Sequence, residues 1–121
     1  MSLHLELGLM IETNFGHDLD SPLEQKQDAL IIRLKNGVTL YVRYAAPDAY
    51  SLRWVYGDAE SSIDTAPLHR GLATFPNHFH DASGHIMADL ITHPDASPED
   101  NLQKLIRALL DDPVLGVRDL T

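Results

Sequence analysis

Cysteine is absent from the 121 residues, which removes disulfides, iron–sulfur clusters, thiolate zinc fingers and cysteine nucleophiles together. No apolar run approaches the ~20 residues that span a bilayer, so no membrane association is expected. Positive charge is scarce: nine Lys and Arg stand against eighteen Asp and Glu, a net charge of -9. That balance argues against a protein built mainly to coat nucleic acid. The start, Met1-Ser2-Leu3-His4-Leu5-Glu6, has neither a basic segment nor an uninterrupted apolar one, so a cytoplasmic location is the expectation. Gly-x-Gly-x-x-Gly, P-loop, Gly-x-Ser-x-Gly, zincin and EF-hand patterns are all missing, which removes the common nucleotide-binding and hydrolase motifs. What remains is a chain of 44% hydrophobic and 22% charged residues, enough to bury a core as one domain over residues 1–121.

Leu3, Leu5, Leu7, Leu9 and Ile11 alternate with His4, Glu6, Gly8 and Met10, which predicts a strand with one buried face, a helix being the alternative. Ser21-Pro22-Leu23-Glu24 has the form of a capping box and predicts a short helix. Leu30, Ile32 and Leu34, followed by Val38, Leu40, Val42 and Tyr44, predict a hairpin. Directly opposed residues point the same way, so only an odd-length loop keeps both apolar sets together. A three-residue loop, Lys35-Asn36-Gly37 with Gly37 left-handed, pairs Leu34 with Val38, Ile32 with Leu40 and Leu30 with Val42. Tyr50, Leu52, Trp54 and Tyr56 form the inward set of another strand. A four-residue connection, Gly57 to Glu60, is then expected to set Ile63 opposite Trp54. An irregular stretch follows from Thr65 to Gly84, then a short apolar run at Ile86-Met87-Ala88. Ser97-Pro98-Glu99-Asp100 opens a helix whose Leu102, Leu105, Ile106, Leu109 and Leu110 form one apolar stripe, ended by Pro113. The fold class is α+β: a mainly antiparallel twisted sheet of five or six strands with the C-terminal helix packed on one face.

Four of the seven histidines, His69, His78, His80 and His85, fall in the least regular segment. His78 and His80 flank Phe79, so an extended backbone projects both imidazoles to one side. Two uses are open. As a metal site the pair needs a further ligand from Asp64, His69, Asp81 or His85. Without metal, one imidazole removes the proton of a ribose 2′-hydroxyl and another protonates the departing oxygen, which needs no cofactor. The outward positions Arg33, Lys35, Tyr41 and Arg43, joined by Arg53, offer cations and a ring for a phosphate backbone and a stacked base. From Lys26 to Arg53 five basic residues meet two acidic ones. From Asp81 to Asp112 the ratio reverses, seven acidic to two basic, a docking surface for a basic partner.

The strand Tyr50-Ser51-Leu52-Arg53-Trp54-Val55-Tyr56, then Asp64-Thr65-Ala66-Pro67-Leu68-His69, Thr74-Phe75-Pro76-Asn77-His78-Phe79-His80 and the C-terminal helix follow one another in an order that resembles the TumE-type toxin family. These are small bacterial proteins found beside helix-turn-helix antitoxins. The family pattern reads like Asp-Asn-Ala-Pro-His-His and Thr-Phe-Pro-His-His-x-His; here Thr65, Leu68 and Asn77 depart from it. The resemblance implies a toxin component with a helix-turn-helix antitoxin as partner and RNA or the translation machinery as target. Joined to the reading of the residues, it makes a metal-independent endoribonuclease the leading expectation, with His69, His78 and His80 catalytic and Arg33, Lys35, Tyr41, Arg43 and Arg53 binding substrate. No cofactor is required, and a homodimer is a further expectation. The alternatives are a non-enzymatic protein-binding module and a metal-dependent hydrolase using Asp64, His69, His78 and His80.

Overall fold

The computed structural model describes residues 2–115. Its sheet is organised by two hairpins. In the first, β2 (Leu30–Arg33) and β3 (Thr39–Ala46) pair Leu30 with Val42 and Ile32 with Leu40. Gly37 closes the loop at φ +99°, donating its N–H to the Leu34 carbonyl, while the Leu34 N–H reaches Val38. The three-residue loop and its register are those that parity requires. In the second, β4 (Ala49–Tyr56) and β5 (Ala59–Asp64) set Ile63 opposite Leu52 and Ser61 opposite Trp54. The expected four-residue connection is corrected to two residues, Gly57-Asp58. Gly57 at φ +58° takes the conformation a tight hairpin loop needs at its first central position. Two and four share parity, so Ile63 stays on the apolar face.

Three short strands extend this core: β1 (Glu24–Gln25), β6 (His78–His80) and β7 (Ile86–Ala88). Among the described residues the antiparallel sheet therefore has seven strands, ordered β1 to β7 as in the chain, one more than the upper expectation. Segments of two or three residues are too short to display a period, and β6 lies inside the stretch expected to be irregular. The capping box at Ser21 to Glu24 opens no helix. Glu24 sits opposite Ile31 in the sheet, and its carboxylate binds Arg33 at 2.5 Å instead of turning back on its own chain. That guanidinium holds the Glu24 carboxyl below its ordinary range.

The predicted N-terminal strand is α1 (Leu3–Phe15). Ser2 caps it, its Oγ accepting from the Leu5 N–H, and Leu7, Met10, Ile11 and Phe15 form its buried stripe. Leu5 and Leu9, the residues that completed the two-residue alternation, are 44% and 48% exposed. A leucine-rich helix that is apolar on both sides contains an alternating subset by coincidence, and helix propensity decides. Helix α2 (Pro98–Asp111) begins at the Ser97 cap as expected. Its Leu102, Leu105, Ile106 and Leu109 are fully buried with α1 and the inner sheet residues Ile32, Leu40, Leu52 and Trp54 in one core. The Leu109 carbonyl, in the last turn, accepts from the Asn36 side chain of the first hairpin loop. Leu105→Ala and Leu109→Ala are each expected to cost about 2–5 kcal/mol, read as lower urea midpoints; unchanged midpoints would contradict the packing. Among the described residues no helix is long and apolar enough to cross a membrane.

Candidate active site

Both helices contribute to the core on the inner face, and ladder partners share a face. The outer face can therefore be read directly from the register. One row runs Tyr41, Arg53, Ser62, His80, and the next runs Arg43, Ser51, Asp64, His78. Basic residues of the first hairpins and the histidines of β6 thus lie on one surface, although they are far apart along the chain. Phe79 turns the other way and stacks on Trp54, centroids 5.9 Å apart and planes 7° from parallel.

Asp64 is the centre of the histidine cluster. Its Oδ1 lies 3.1 Å from His78 Nε2 and its Oδ2 lies 3.4 Å from His80 Nε2, while the Ala66 N–H also donates to Oδ1. His69 arrives from the loop after β5 and meets His78 edge-on at 4.7 Å between ring centroids, with His80 at 6.1 Å. The nitrogens of the three rings come within 4.8 Å of one another. His78 Nδ1 faces the Pro76 carbonyl at 3.1 Å, and a carbonyl only accepts, so that nitrogen is the donor. Its Nε2 then faces a carboxylate. A neutral ring there turns its lone pair toward those of Asp64.

Access divides the three rings. His78 is 1% exposed, whereas the His80 side chain keeps 35% and His69 is half-buried. His69 and His80 are therefore the reachable rings, and His78 lies behind them. His85 is not part of the cluster: it pairs with Asp81 across the turn between β6 and β7, Nδ1 to Oδ2 3.1 Å. Burial raises the Asp81 carboxyl, but hydrogen bonds from His85 and the Ser83 amide outweigh it and leave the group below its ordinary range. Of the metal ligands considered, Asp64, His69, His78 and His80 come together, and Asp81 and His85 do not.

The basic residues are less free than their count implies. Arg33 binds Glu24, and Arg53 binds Glu60 at 2.7 Å with its guanidinium 4.1 Å above the Tyr41 ring. Arg43 is 3.8 Å from Asp28, both largely exposed, and Lys35 is exposed in the hairpin loop. A groove of about 390 Å³ runs between Lys26, Ile31, Tyr41, Arg43, Ser51 and Arg53.

The loop from 65 to 77 is pinned at both ends. Thr65 exchanges hydrogen bonds with Tyr50, its amide to the Tyr50 carbonyl and its Oγ1 accepting from the Tyr50 amide. At the other end Thr74 Oγ1 donates to the Asn77 carbonyl and accepts from the Asp89 amide; the Phe75-Pro76 bond there is cis. A family model described as Toxin TumE matches residues 9–113. The chain belongs to the TumE toxin family. No curated protein and no solved structure matches it.

Asp64, His69, His78 and His80 form the cluster, whereas Leu68 is 74% exposed. Asn77 is buried and donates to the Asp89 carboxylate and the Thr92 carbonyl, both at 2.9 Å. The sequence reading missed this network. Its signal was Asp89-Leu90-Ile91-Thr92, where an aspartate followed by a threonine three residues on can close a turn on its own amides. Asp89 Oδ1 accepts from the Ile91 and Thr92 N–H groups in that way.

Proposed function

We propose that this TumE-family toxin acts on RNA, cleaving it by proton transfer at His69 and His80. The observation behind the reading is the shared outer face, on which Tyr41, Arg53, Ser62 and His80 stand in one row. From β3 to β6 there are three strand spacings, ~14 Å, a track along which a single strand stacks a base on Tyr41 and passes its backbone toward the histidines. One imidazole takes the proton of the 2′-hydroxyl, whose oxygen attacks the adjacent phosphorus. The other imidazole protonates the departing 5′-oxygen, so protons balance and no cofactor enters. Asp64, held by buried His78, fixes the orientation of His80. A helix-turn-helix antitoxin is the protein partner of this reading, the acidic stretch from Asp81 to Asp112 its docking surface, and the cytoplasm its place of action.

The test is cleavage of single-stranded RNA in chelator. Products ending in a 2′,3′-cyclic phosphate, with a 2′-deoxy substrate left intact, are the expected result. Equal cleavage of DNA, or none of RNA, would overturn it. Binding is tested separately: Arg43→Glu and Arg53→Glu should weaken RNA association at low salt and lower the salt slope by ~1 for each phosphate that the arginine no longer neutralises. Unchanged binding at every salt concentration would make the face ordinary solvated surface.

A further inference from the structure

We infer that His69, His78, His80 and Asp64 also form a seat for one divalent transition-metal ion of the zinc class, and that an ion in it withdraws His69 and His80 from cleavage. The second half rests on the proposed RNA chemistry; the first half does not. Three imidazoles and a carboxylate are a donor set that zinc accepts in tetrahedral sites. Zinc–ligand bonds of ~2.0–2.1 Å place tetrahedral donors ~3.3 Å from one another; Asp64 Oδ1 lies 3.1 Å from His78 Nε2, and its other oxygen lies 3.4 Å from His80 Nε2. The third ring is close by: one nitrogen from each of the three histidines lies within 4.8 Å of the others.

His78 supplies the independent argument. Its Nδ1–H is committed to the Pro76 carbonyl, the arrangement by which ligating histidines fix the tautomer and direct the other nitrogen at the metal. That other nitrogen is buried and faces a carboxylate, so a cation between them relieves the clash of lone pairs. The ion also takes the lone pairs of His69 and His80 that proton transfer requires, so occupancy silences the site without unfolding it.

The experiment uses the full chain, stripped with chelator and titrated with Zn²⁺ or Co²⁺, with metal content measured after gel filtration. One ion per chain and the intense visible absorption of tetrahedral Co²⁺ are expected. His69→Gln and His80→Gln, both at partly exposed positions, should each lower affinity at least tenfold while His85→Gln leaves it unchanged; His78→Gln is read only where circular dichroism shows a native fold. Failure of the wild type to retain an ion, or equal retention by a His69→Gln/His80→Gln double variant, overturns the seat. In the cleavage assay, loss of activity on adding one equivalent of Zn²⁺ supports the second half. Activity that depends on the ion would instead overturn both that half and the metal-free chemistry, while the binding data still uphold the seat.

Discussion

Substituting His80→Gln or His69→Gln is expected to lower the proposed RNA cleavage by roughly 10²–10⁴-fold, the range over which a positioned acid or base contributes. Glutamine approximates the size of imidazole and keeps a hydrogen-bonding group, but it does not exchange protons near neutral pH. Both positions are partly exposed, so folded stability should change by less than about 0.5 kcal/mol, and RNA binding through Tyr41, Arg43 and Arg53 should be unaffected. A proton-transfer pair fails when either member is missing, so the double variant should be little worse than the worse single one. His78→Gln distinguishes positioning from contact. Glutamine there can still donate to the Pro76 carbonyl or to Asp64, and the expected result is a smaller loss with a displaced pH profile, because Asp64 and His80 are less well held. Wild-type cleavage by the His69→Gln/His80→Gln double variant would remove the imidazole mechanism and leave a toxin that acts by binding.

Parity arguments succeeded where strands were long. In β2 and β3, the inward residues on each side of Gly37 leave one register that buries them together, and that register is found. The second hairpin shows the limit, since loops of two and four residues keep the same faces and only the conformation of Gly57 separates them. Residues 3–11 misled because leucine at every second position satisfies a strand on paper, while Ser2 as cap and the stripe of Leu7, Ile11 and Phe15 carry the helix. The candidate site was legible in part. His78-Phe79-His80 announced its alternation, and the Asp64 to His69 motif named the other two members. Burial of His78 was not legible, because the loop after β5 brings the His69 ring against it, and that loop is held by Thr65 on Tyr50 and Thr74 on Asp89, pairings between residues far apart in the chain.

Asp89, at the second of these anchors, is expected to matter more to stability than any single methyl group in the core. It is 3% exposed, yet its carboxylate accepts from the Asn77 side chain, the Thr92 hydroxyl and the amides of Ile91 and Thr92. Thr92 Oγ1 in turn receives the Tyr50 hydroxyl at 2.7 Å, so protons run in one direction from Tyr50 through Thr92 to Asp89. Burial pushes the Tyr50 hydroxyl up to about 12, the Thr92 hydrogen bond opposing and the charge of Asp89 adding to it, which keeps Tyr50 a donor at neutral pH. Asp89→Ala strands several buried donors at about 1–3 kcal/mol each, and a loss of about 3–5 kcal/mol is expected after partial relaxation, a large share of the 5–15 kcal/mol typical of a domain. Asp89→Asn keeps the shape but turns an amide toward Asn77, donor against donor, and should lose less. Because Asn77 immediately precedes His78, this milder variant should also loosen the β6 histidines, lowering cleavage while RNA affinity is retained. Urea denaturation and single-turnover cleavage of both variants separate the two effects. A denaturation midpoint for Asp89→Ala within error of wild type would show that the network does not anchor the loop.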